Sequence, residues 1–414
     1  MLNLSDYTYE LPPERIAQHP ASPADHCRLL VCSPTDSLHH EEDNHEDTCV
    51  YTYEDKYFYD LPTLLPQKCV LFFNTSKVLK ARLILEEYYT IPAAETYTSS
   101  NYDRTNIKHN WEIFFLTQKD DYTFEALIRP GKHFQVGQTV QWNDVLFSVI
   151  EQTESWRILR SSIPIHKLLE QYGQMPLPPY IAYSDEKATA YQPLLADTPW
   201  SVAAPTASLH FTPELFKKLE DLHVIQEKIT LHVGLGTFQT VQATNITQHD
   251  IHTEYIIIDV SIFERISSYK QQWYAITNIW TTVMRTLESL PFLWIVYREQ
   301  AIQWGLSQQT VQRRDTCTQD ITMQQASSII HDLTKQQSSL SFATKLFLYP
   351  WATTRLTDWL ITNFHLPKSS LLMLVAAYMW YTPMMDAYTH ALAGEYLFYS
   401  FGDAMYIKSP KFKS

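Results

Sequence analysis

The stretch Cys69-Val-Leu-Phe-Phe-Asn-Thr-Ser-Lys77 decides the fold that we predict for this 414-residue chain. Its first five residues are apolar, which is typical of a short buried strand, and polar and basic residues follow at once. In α/β proteins, the carboxyl ends of such strands carry the ligand contacts. We therefore predict an α/β protein whose functional residues come directly after its buried strands.

A second texture begins beyond this strand. From Glu112 to about Arg160, short runs rich in β-branched and aromatic residues alternate with turns such as Arg129-Pro-Gly-Lys132. Short strands at this spacing indicate a small antiparallel barrel or sandwich. After Ile165 the pattern becomes helical and then returns to α/β alternation. We therefore expect an α/β core domain with an inserted small antiparallel β-barrel domain.

The expected division of the chain follows from these changes of pattern. The core domain is predicted to comprise 1–72 and 163–414, and the barrel 73–162. Within the core, two stretches with little core pattern are expected to be elaborations, an acidic loop at 36–60 and a segment rich in Gln, Ser and Thr at 291–342.

Composition limits the class of protein. The chain is 45% hydrophobic and long enough to bury a sizeable core. Its start has neither the basic region nor the apolar run of a signal peptide. The longest apolar run, Leu371–Tyr381, is too short to span a membrane and is typical of a buried helix. The five cysteines form no CxxC pair, which indicates reduced thiols in a cytoplasmic protein.

The charge distribution bears on the partner. The net charge is −13, but nine acidic residues against Lys56 give 36–60 a net charge of −8, which leaves −5 elsewhere. Such an acidic run is usually a solvated loop. Overall charge alone therefore does not exclude a nucleic-acid partner, although phosphate binding requires Lys and Arg.

The segment 200–212, WSVAAPTASLHFT, is interpreted as a loop of the functional site. Its small residues allow a ligand to approach the backbone, Thr206 and Ser208 offer hydroxyls, and Phe211 beside His210 offers a ring face for a base. The Thr-Pro-Glu that follows predicts a helix start with threonine as the N-cap. The alternative is a structured turn before an amphipathic helix.

Two further segments offer groups for acid–base chemistry or close contact. Gly234 and Gly236 follow a predicted strand, where the missing side chain permits close backbone approach, although the segment is not a GxGxxG motif. In 249–254, HDIHTE, two imidazoles and a carboxylate lie within six residues. Because the spacing is not that of a helical zinc pair, acid–base work or substrate hydrogen bonding by His252 and Glu254 is favoured over metal binding.

The last such segment joins a predicted strand to a buried helix. Asn363, His365 and Lys368 lie in this connection, and Ser369 or Ser370 is the expected N-cap of the helix. A helix amino terminus beside a lysine is a favourable site for an anion.

Together these segments resemble one family, the S-adenosylmethionine:tRNA ribosyltransferase-isomerases of the queuosine pathway. The resemblance runs in family order from residue 4 to residue 405. It is carried by LSDYTYELPPERIAQHP (4–20), FFNTSKVLKARL (72–83), PLPPYI (176–181), SVAAPTASLHFT (201–212), TLHVGLGTF (230–238), HDIHTE (249–254), TTVMRTLES (281–289), LITNFHLPKSSLLMLV (360–375) and YLFYSFGDAM (396–405).

This resemblance implies a reaction. The family moves the ribosyl part of S-adenosylmethionine onto the aminomethyl group of a 7-deazaguanine base in a tRNA anticodon. It isomerises the sugar to an epoxycyclopentane and releases adenine and methionine. The implied co-substrate is S-adenosylmethionine, with no metal, and we expect a cytoplasmic monomer with a tRNA partner and no membrane association.

Roles for individual residues follow as hypotheses. A sulfonium acidifies the adjacent ribose carbon, so a base near neutral pKa is needed to take that proton. The catalytic candidates are His210 (with Phe211 at the adenine), His252, Glu254 and His365. The substrate-binding candidates are Thr206, Ser208, Phe211, Gly234, Gly236, Asn363 and Arg285, whose guanidinium suits the methionine carboxylate. The tRNA-phosphate candidates are Lys77, Arg82 and Lys368.

The sequence departs from the family pattern in one recurrent way. Tryptophan stands where the family has glycine at Trp200, Trp280, Trp351 and Trp380, and Trp142 and Trp359 are further candidates. The chain has 8 Gly against 11 Trp. We hypothesise that the gene uses UGA codons read as glycine, here translated as tryptophan. The alternative is genuine substitution with compensation.

Two other departures are not explained in this way. Ser208 replaces a glycine of the family, and Thr75 stands where the family mostly has Asp or Asn. Two functions are alternatives to the one that the family resemblance implies. A non-catalytic tRNA-binding relative would keep the fold without turnover, whereas a methyltransferase would require a glycine-rich loop after the first strand, which the sequence lacks.

Overall fold

The computed structural model describes residues 2–41, 46–86, 89–91, 111–131, 134–153, 156–234, 240–300, 310–311, 338–350, 352 and 354–409. Two compact units are present. The core unit comprises Met1–Lys77 with Pro178–Ser414, and the small unit comprises Val78–Leu177. Each is described by itself below.

The regular elements are as follows. The strands are β1 Arg28–Glu41, β2 Glu46–Tyr57, β3 Cys69–Asn74, β4 Ser76–Val78, β5 Arg82–Leu85, β6 Tyr89–Ile91, β7 Trp111–Gln118, β8 Thr123–Arg129, β9 Thr139–Trp142, β10 Val145–Gln152, β11 Arg157–Ser161, β12 Thr198–Ser201, β13 Ile225–His232, β14 Glu254–Asp259, β15 Ala275–Ile279, β16 Thr310–Val311, β17 Ser339–Thr344, β18 Trp359–Asn363 and β19 Ala404–Lys408. The α-helices are α1 Leu61–Leu64, α2 Ile165–Tyr172, α3 Asp185–Ala190, α4 Pro213–Asp221, α5 Ile262–Gln271, α6 Thr281–Gln300, α7 Ser370–Met379 and α8 Tyr381–Ala393.

A ten-stranded mixed sheet forms the centre of the core unit. Its order is β16-β17-β14-β13-β3-β15-β18-β19-β1-β2. Strands β13, β3, β15 and β18 are parallel, whereas β14 and β19 run antiparallel to their neighbours β13 and β18. The carboxyl ends of the four parallel strands therefore lie at the same edge of the sheet as the amino ends of β14 and β19. We call this edge the site edge.

The central strands are buried on both faces. Every residue of β3, β15 and β18 is buried, as expected for parallel strands covered by other elements on each side. Along β18 the faces alternate, because Trp359 and Ile361 pack in one hydrophobic cluster and Leu360 in another. The prediction of a buried strand at 69–73 is confirmed, and so is the mixed α/β class.

Two predicted helix starts are also confirmed. The Oγ1 of Thr212 accepts a hydrogen bond from the amide of Leu215 at 3.1 Å, and Ser369 Oγ accepts from the amide of Leu372 at 3.2 Å. These N-caps satisfy amides that the first helical turn leaves without partners. The helix that begins after Ser369 is buried along almost its whole length. Among the described helices, none is long and apolar enough to cross a membrane.

The small unit contains a curled antiparallel sheet of seven strands. The order is β5-β7-β8-β11-β10-β9-β6, with β5 and β6 at its ends in the part of the chain that the structure describes. Trp111, Ile113 and Phe115 of β7 are buried and alternate with less buried residues, the period expected of a sheet with one covered face. The predicted strands between 112 and 160 are confirmed, as a half-barrel sheet.

The acidic segment 36–60 is not the solvated loop that we predicted. Strands β1 and β2 form a long hairpin that pairs as far as Glu41 with Glu46, and only the residues after Tyr57 leave it. Along β2, Tyr51 is buried while Thr52 and Glu54 are exposed. Of the acidic residues whose side chains are described on β2, Glu54 and Asp55 are exposed to solvent, where their charge does not oppose pairing.

The segment 291–342 also has regular structure, at both of its ends. The second half of α6 continues to Gln300 with Pro291 inside the helix, and β17 pairs with β14 and buries Phe342. Its middle, 301–309 and 312–337, lies outside the described residues.

Candidate functional site

A cavity opens at the site edge beside the end of β18. Its free volume is about 20 Å³, enough for about one water molecule. Its lining includes Thr206, Trp280, Asn363, His365 and Ser369. These residues come from the 200–212 loop, from the β15–α6 connection and from the connection between β18 and α7, three segments that the sequence analysis singled out.

A hydrogen-bonded relay supports one wall of this cavity. Thr206 Oγ1 donates to Asn363 Oδ1 at 2.8 Å, and Asn363 Nδ2 lies 3.0 Å from His210 Nε2. The Nδ1 of His210 lies 3.2 Å from the Sγ of Cys27. Because the amide NH₂ donates to Nε2, the proton of the neutral ring belongs on Nδ1, facing the sulfur. We call these four residues the amide relay.

His210 lies behind the cavity wall. Its ring packs against Phe58, with ring centroids 5.1 Å apart, and it is not among the cavity-lining residues. Burial lowers the pKa of His210 to about 4. The imidazole is therefore neutral at physiological pH, and in this structure it orients the amide of Asn363.

Phe211 and Ser208 are also placed behind this wall. Phe211 is buried and its ring is packed by Phe58, Phe73 and Phe216. Its faces are thus occupied by other rings. Ser208 is buried in the short 3-10 helix Thr206–His210, and its hydroxyl has no hydrogen-bond partner among the described residues.

His365 faces the cavity and is held on several sides. Its amide donates to the Tyr388 hydroxyl at 2.8 Å, and its carbonyl oxygen accepts from the Tyr9 hydroxyl. Its Nε2 lies 2.9 Å from Thr362 Oγ1. Burial lowers the pKa of His365 to about 3. The cavity is therefore lined by a neutral, fixed imidazole.

A second polar group lies at the start of β14. Glu254 Oε1 is 3.2 Å from His252 Nε2, and Oε2 is 2.9 Å from Arg285 Nη1. Glu254 and Arg285 are almost fully buried, so their opposite charges compensate each other in the interior. We call these three residues the ionic triad. The described residues contain no group of three or more His, Cys, Asp or Glu side chains that could hold a metal ion.

The sheet separates the relay from the triad. Strands β13, β3 and β15 lie between β14 and β18, which is four strand spacings or about 19 Å. Helix α6 connects the two, because Trp280 at its start lines the cavity and Arg285, one turn later, reaches Glu254. The predicted catalytic residues therefore lie at one edge, in two separate groups.

Comparison with known proteins identifies the family. The profile described as "Queuosine biosynthesis protein" matches residues 4–407. The chain belongs to this family. A relative from Thermosynechococcus vestitus is 34% identical over 98% of this chain and 96% of its own, and one from Desulfitobacterium hafniense is 35% identical over 98% and 100%. Both are named S-adenosylmethionine:tRNA ribosyltransferase-isomerase.

One solved structure is also similar to this chain. It is an S-adenosylmethionine tRNA ribosyltransferase from Thermotoga maritima, 25% identical with a TM-score of 0.45, over 97% of this chain and 99% of the other. The resemblance to this family that we inferred from the sequence is confirmed by the family profile and the relatives.

The remaining residues predicted from the queuosine-family resemblance are dispersed. A side-chain carbon at Gly234 would meet nothing within 4 Å, so the structure shows no close packing there, and Gly236 lies outside the described residues. Lys77 and Lys368 are exposed in the core unit. In the small unit, Arg82 is paired with Glu112, with Nε and Oε1 2.7 Å apart.

One buried carboxylate was missed in the sequence analysis. Glu288 accepts backbone hydrogen bonds from Arg355, Leu356 and Thr357, at 2.7 to 3.0 Å. It thereby fixes the loop that leads into β18 and so the position of Asn363. The family motif TTVMRTLES contains this glutamate, but nothing in its spacing distinguishes a loop anchor from a surface residue.

Proposed function

We propose that this protein transfers and isomerises the ribosyl moiety of S-adenosylmethionine onto a 7-aminomethyl-7-deazaguanine base of tRNA, with release of adenine and methionine. The near-full-length similarity to two enzymes of that name carries the proposal. The cavity at the site edge supports it, because Thr206, Asn363 and His365 line it with hydrogen-bonding groups of the kind that a nucleoside needs.

The cavity residues are proposed to bind the nucleoside. Thr206 and Asn363 offer a hydroxyl and an amide at its wall, and His365 lies near the reacting ribose. Burial keeps His365 neutral, and its pKa of about 3 makes it a weaker base than the near-neutral one that we expected from the sequence. His210 is proposed to act through Asn363 as a positioning residue.

The ionic triad is proposed to serve the other end of the substrate. An S-adenosylmethionine molecule that lies along the first turns of α6 extends from the cavity toward Arg285. The guanidinium already holds Glu254 and has further N–H donors for the methionine carboxylate. His252 and Glu254 are proposed as the acid–base pair for the later proton transfers.

Partners and location follow as parts of the same proposal. The substrate is the precursor-bearing anticodon of a tRNA, S-adenosylmethionine is the co-substrate without a metal, and the enzyme acts as a cytoplasmic monomer. Lys77, Arg82 and Lys368 are proposed to contact phosphates, and Thr206, Gly234 and Gly236 remain binding-loop candidates. Ser208 and Phe211, which lie behind the cavity wall, are proposed to support that loop without touching the substrate. We also propose that the half-barrel sheet of Val78–Leu177 belongs to a barrel domain inserted in the core, for which the sequence predicted the bounds 73–162.

Adenine release tests this function. The full chain is incubated with S-adenosylmethionine and precursor-bearing tRNA, and adenine is quantified. We expect His365→Ala to lower the rate by about 100-fold, the scale of a lost general base. Exposed His223→Ala is the control and should keep the parent rate. No release from the parent chain or from Trp280→Gly, which lacks the indole that lines the cavity, would instead favour the non-catalytic tRNA-binding relative.

A further inference from the structure

Three tryptophans have backbone angles that favour glycine. Trp280 has φ 87°, Trp380 has φ 73° and Trp273 has φ 61°. Positive φ is uncommon for residues with a side chain and a genuine outlier for bulky ones. At Trp380 the ψ of 161° completes a combination that is essentially restricted to glycine.

At Trp273 the positive φ is not imposed by packing of the indole, because this side chain is exposed. The amide of Trp273 bonds to Lys270 O at 3.2 Å, and the amide of Tyr274 bonds to Tyr269 O at 2.9 Å. This pattern is the Schellman motif that ends a helix, and glycine is the usual residue at the left-handed position. The indole is 78% exposed, so few contacts compensate for the strained backbone.

Other tryptophans behave as ordinary residues. Trp111 and Trp359 lie inside strands, are buried, and pack against Phe134 and Tyr406. Among the described tryptophans, positive φ therefore occurs at particular positions only, in a chain with 8 Gly and 11 Trp. Other residues share a positive φ, namely Asn143, His223, Lys368, Glu395 and Tyr399, and His223 ends α4 in the same motif as Trp273. Trp273 was not among the positions that the family pattern suggested, so the backbone identifies it independently.

Trp280 differs from the other two because its indole is in the site. The residue connects β15 to α6, is buried, and lines the cavity with Thr206, Asn363 and His365. On either side of it, Asn278 Oδ1 and the hydroxyls of Thr281 and Thr282 are buried without hydrogen-bond partners among the described residues. Buried polar groups without partners are costly and are common where a ligand is missing.

We propose that residue 280 is glycine in the protein that the cell makes, through a UGA codon read as glycine, and that the space filled here by the indole receives the purine of the nucleoside substrate. The second part rests on the proposed function. Indole and purine are both planar, fused six- and five-membered rings, so space for one fits the other. Purine ring nitrogens also provide acceptors, which indole lacks, and the amino group of adenine is a donor.

The codons give the first test. We expect UGA at positions 273, 280 and 380 and UGG at 111, and a native protein whose mass is lower by one tryptophan-to-glycine difference at each UGA position. UGG at position 280 overturns the proposal.

Melting temperatures test the backbone. At an ordinary strand position alanine is more stable than glycine, but at positive φ the order reverses. We expect the Tm of Trp280→Gly to exceed that of Trp280→Ala by about 2 °C. At the exposed position 273, the Tm of Trp273→Gly should likewise exceed that of Trp273→Ala. The matched pair Trp111→Gly and Trp111→Ala should show the opposite order. A less stable Trp280→Gly contradicts the assignment of glycine.

Adenosine binding tests the purine site. By titration calorimetry, we expect Trp280→Gly to bind adenosine at least about 10-fold more tightly than the parent chain, whereas Trp380→Gly, away from the cavity lining, keeps the parent affinity. Equal affinity in the parent and Trp280→Gly overturns the purine site. Adenine release from S-adenosylmethionine is measured separately, so release without a gain in adenosine affinity contradicts this inference and leaves the proposed function in place.

Discussion

The amide relay and the ionic triad differ in how their buried polar side chains are compensated. Both place buried polar side chains at one edge of the sheet. The relay does so with neutral groups, since burial lowers the pKa of His210 to about 4 and that of His365 beside it to about 3. The triad uses an ion pair, with Glu254 and Arg285 only 2.9 Å apart. The relay should therefore be sensitive to acid, and the triad to the loss of one charge.

Removal of one charge from the triad should have the largest effect. Arg285→Met leaves the Glu254 carboxylate buried without its cation, which costs about 3–5 kcal/mol of unfolding free energy. Urea denaturation at pH 7 measures the loss. The matched control is Arg82→Met, which breaks a partly exposed pair with Glu112 and should cost at most about 1 kcal/mol. Equal losses in the two variants would show that burial does not distinguish the pairs.

For both groups, the sequence predicts the elements that carry the residues better than it predicts which of these residues meet. Buried strands, N-caps and the small antiparallel sheet follow from local patterns, and β3, Thr212 and Ser369 were found in this way. The polar residues of the site edge were found because they follow such strands. Which of them meet depends on the strand order, since β13, β3 and β15 separate Glu254 from Asn363.

The orientation of each side chain was beyond local reasoning. Phe211 has the composition of a base-stacking residue, yet three other phenylalanines cover its ring. His210 has the composition of a catalytic base, yet it points at Cys27 and Asn363 behind the wall. In both cases long-range packing decides, because the partners lie far away in the chain.

Acid should destabilise the protein through the two buried histidines, His210 of the amide relay and His365 beside it. The folded-state pKa values of His210 and His365 lie below the ordinary 6.5, so the unfolded chain binds protons first as the pH falls. Their contribution to stability is complete above pH 6.5 and is lost as the pH falls from that value to about 4 for His210 and about 3 for His365. From pH 7 to pH 5 we expect a loss of about 2 kcal/mol for each histidine.

Urea denaturation at the two pH values measures this loss. His365→Asn removes one titrating group, so the pH-dependent loss should fall by about 2 kcal/mol relative to the parent. His223→Asn, at an exposed position, is the control and should leave the pH dependence unchanged. An unchanged pH dependence in His365→Asn would mean that this imidazole is not held neutral by burial.

The smallest expected change in unfolding free energy concerns Ser369, the helix cap at the cavity. Ser369 caps α7 through its hydroxyl and also lines the cavity, but it belongs to neither the relay nor the triad. Ser369→Ala should cost about 1 kcal/mol of unfolding free energy, and Ser369→Gly only a few tenths, because glycine at an N-cap leaves the amides open to water. Thr212→Ala, at the start of α4, removes a cap outside the cavity lining and should cost more, because this hydroxyl also donates to the buried Asp25 carboxylate at 3.0 Å. If Ser369→Ala alone also lowers adenosine affinity, the hydroxyl contributes to the cavity as well as to the helix, and equal affinity in both variants would restrict it to the cap.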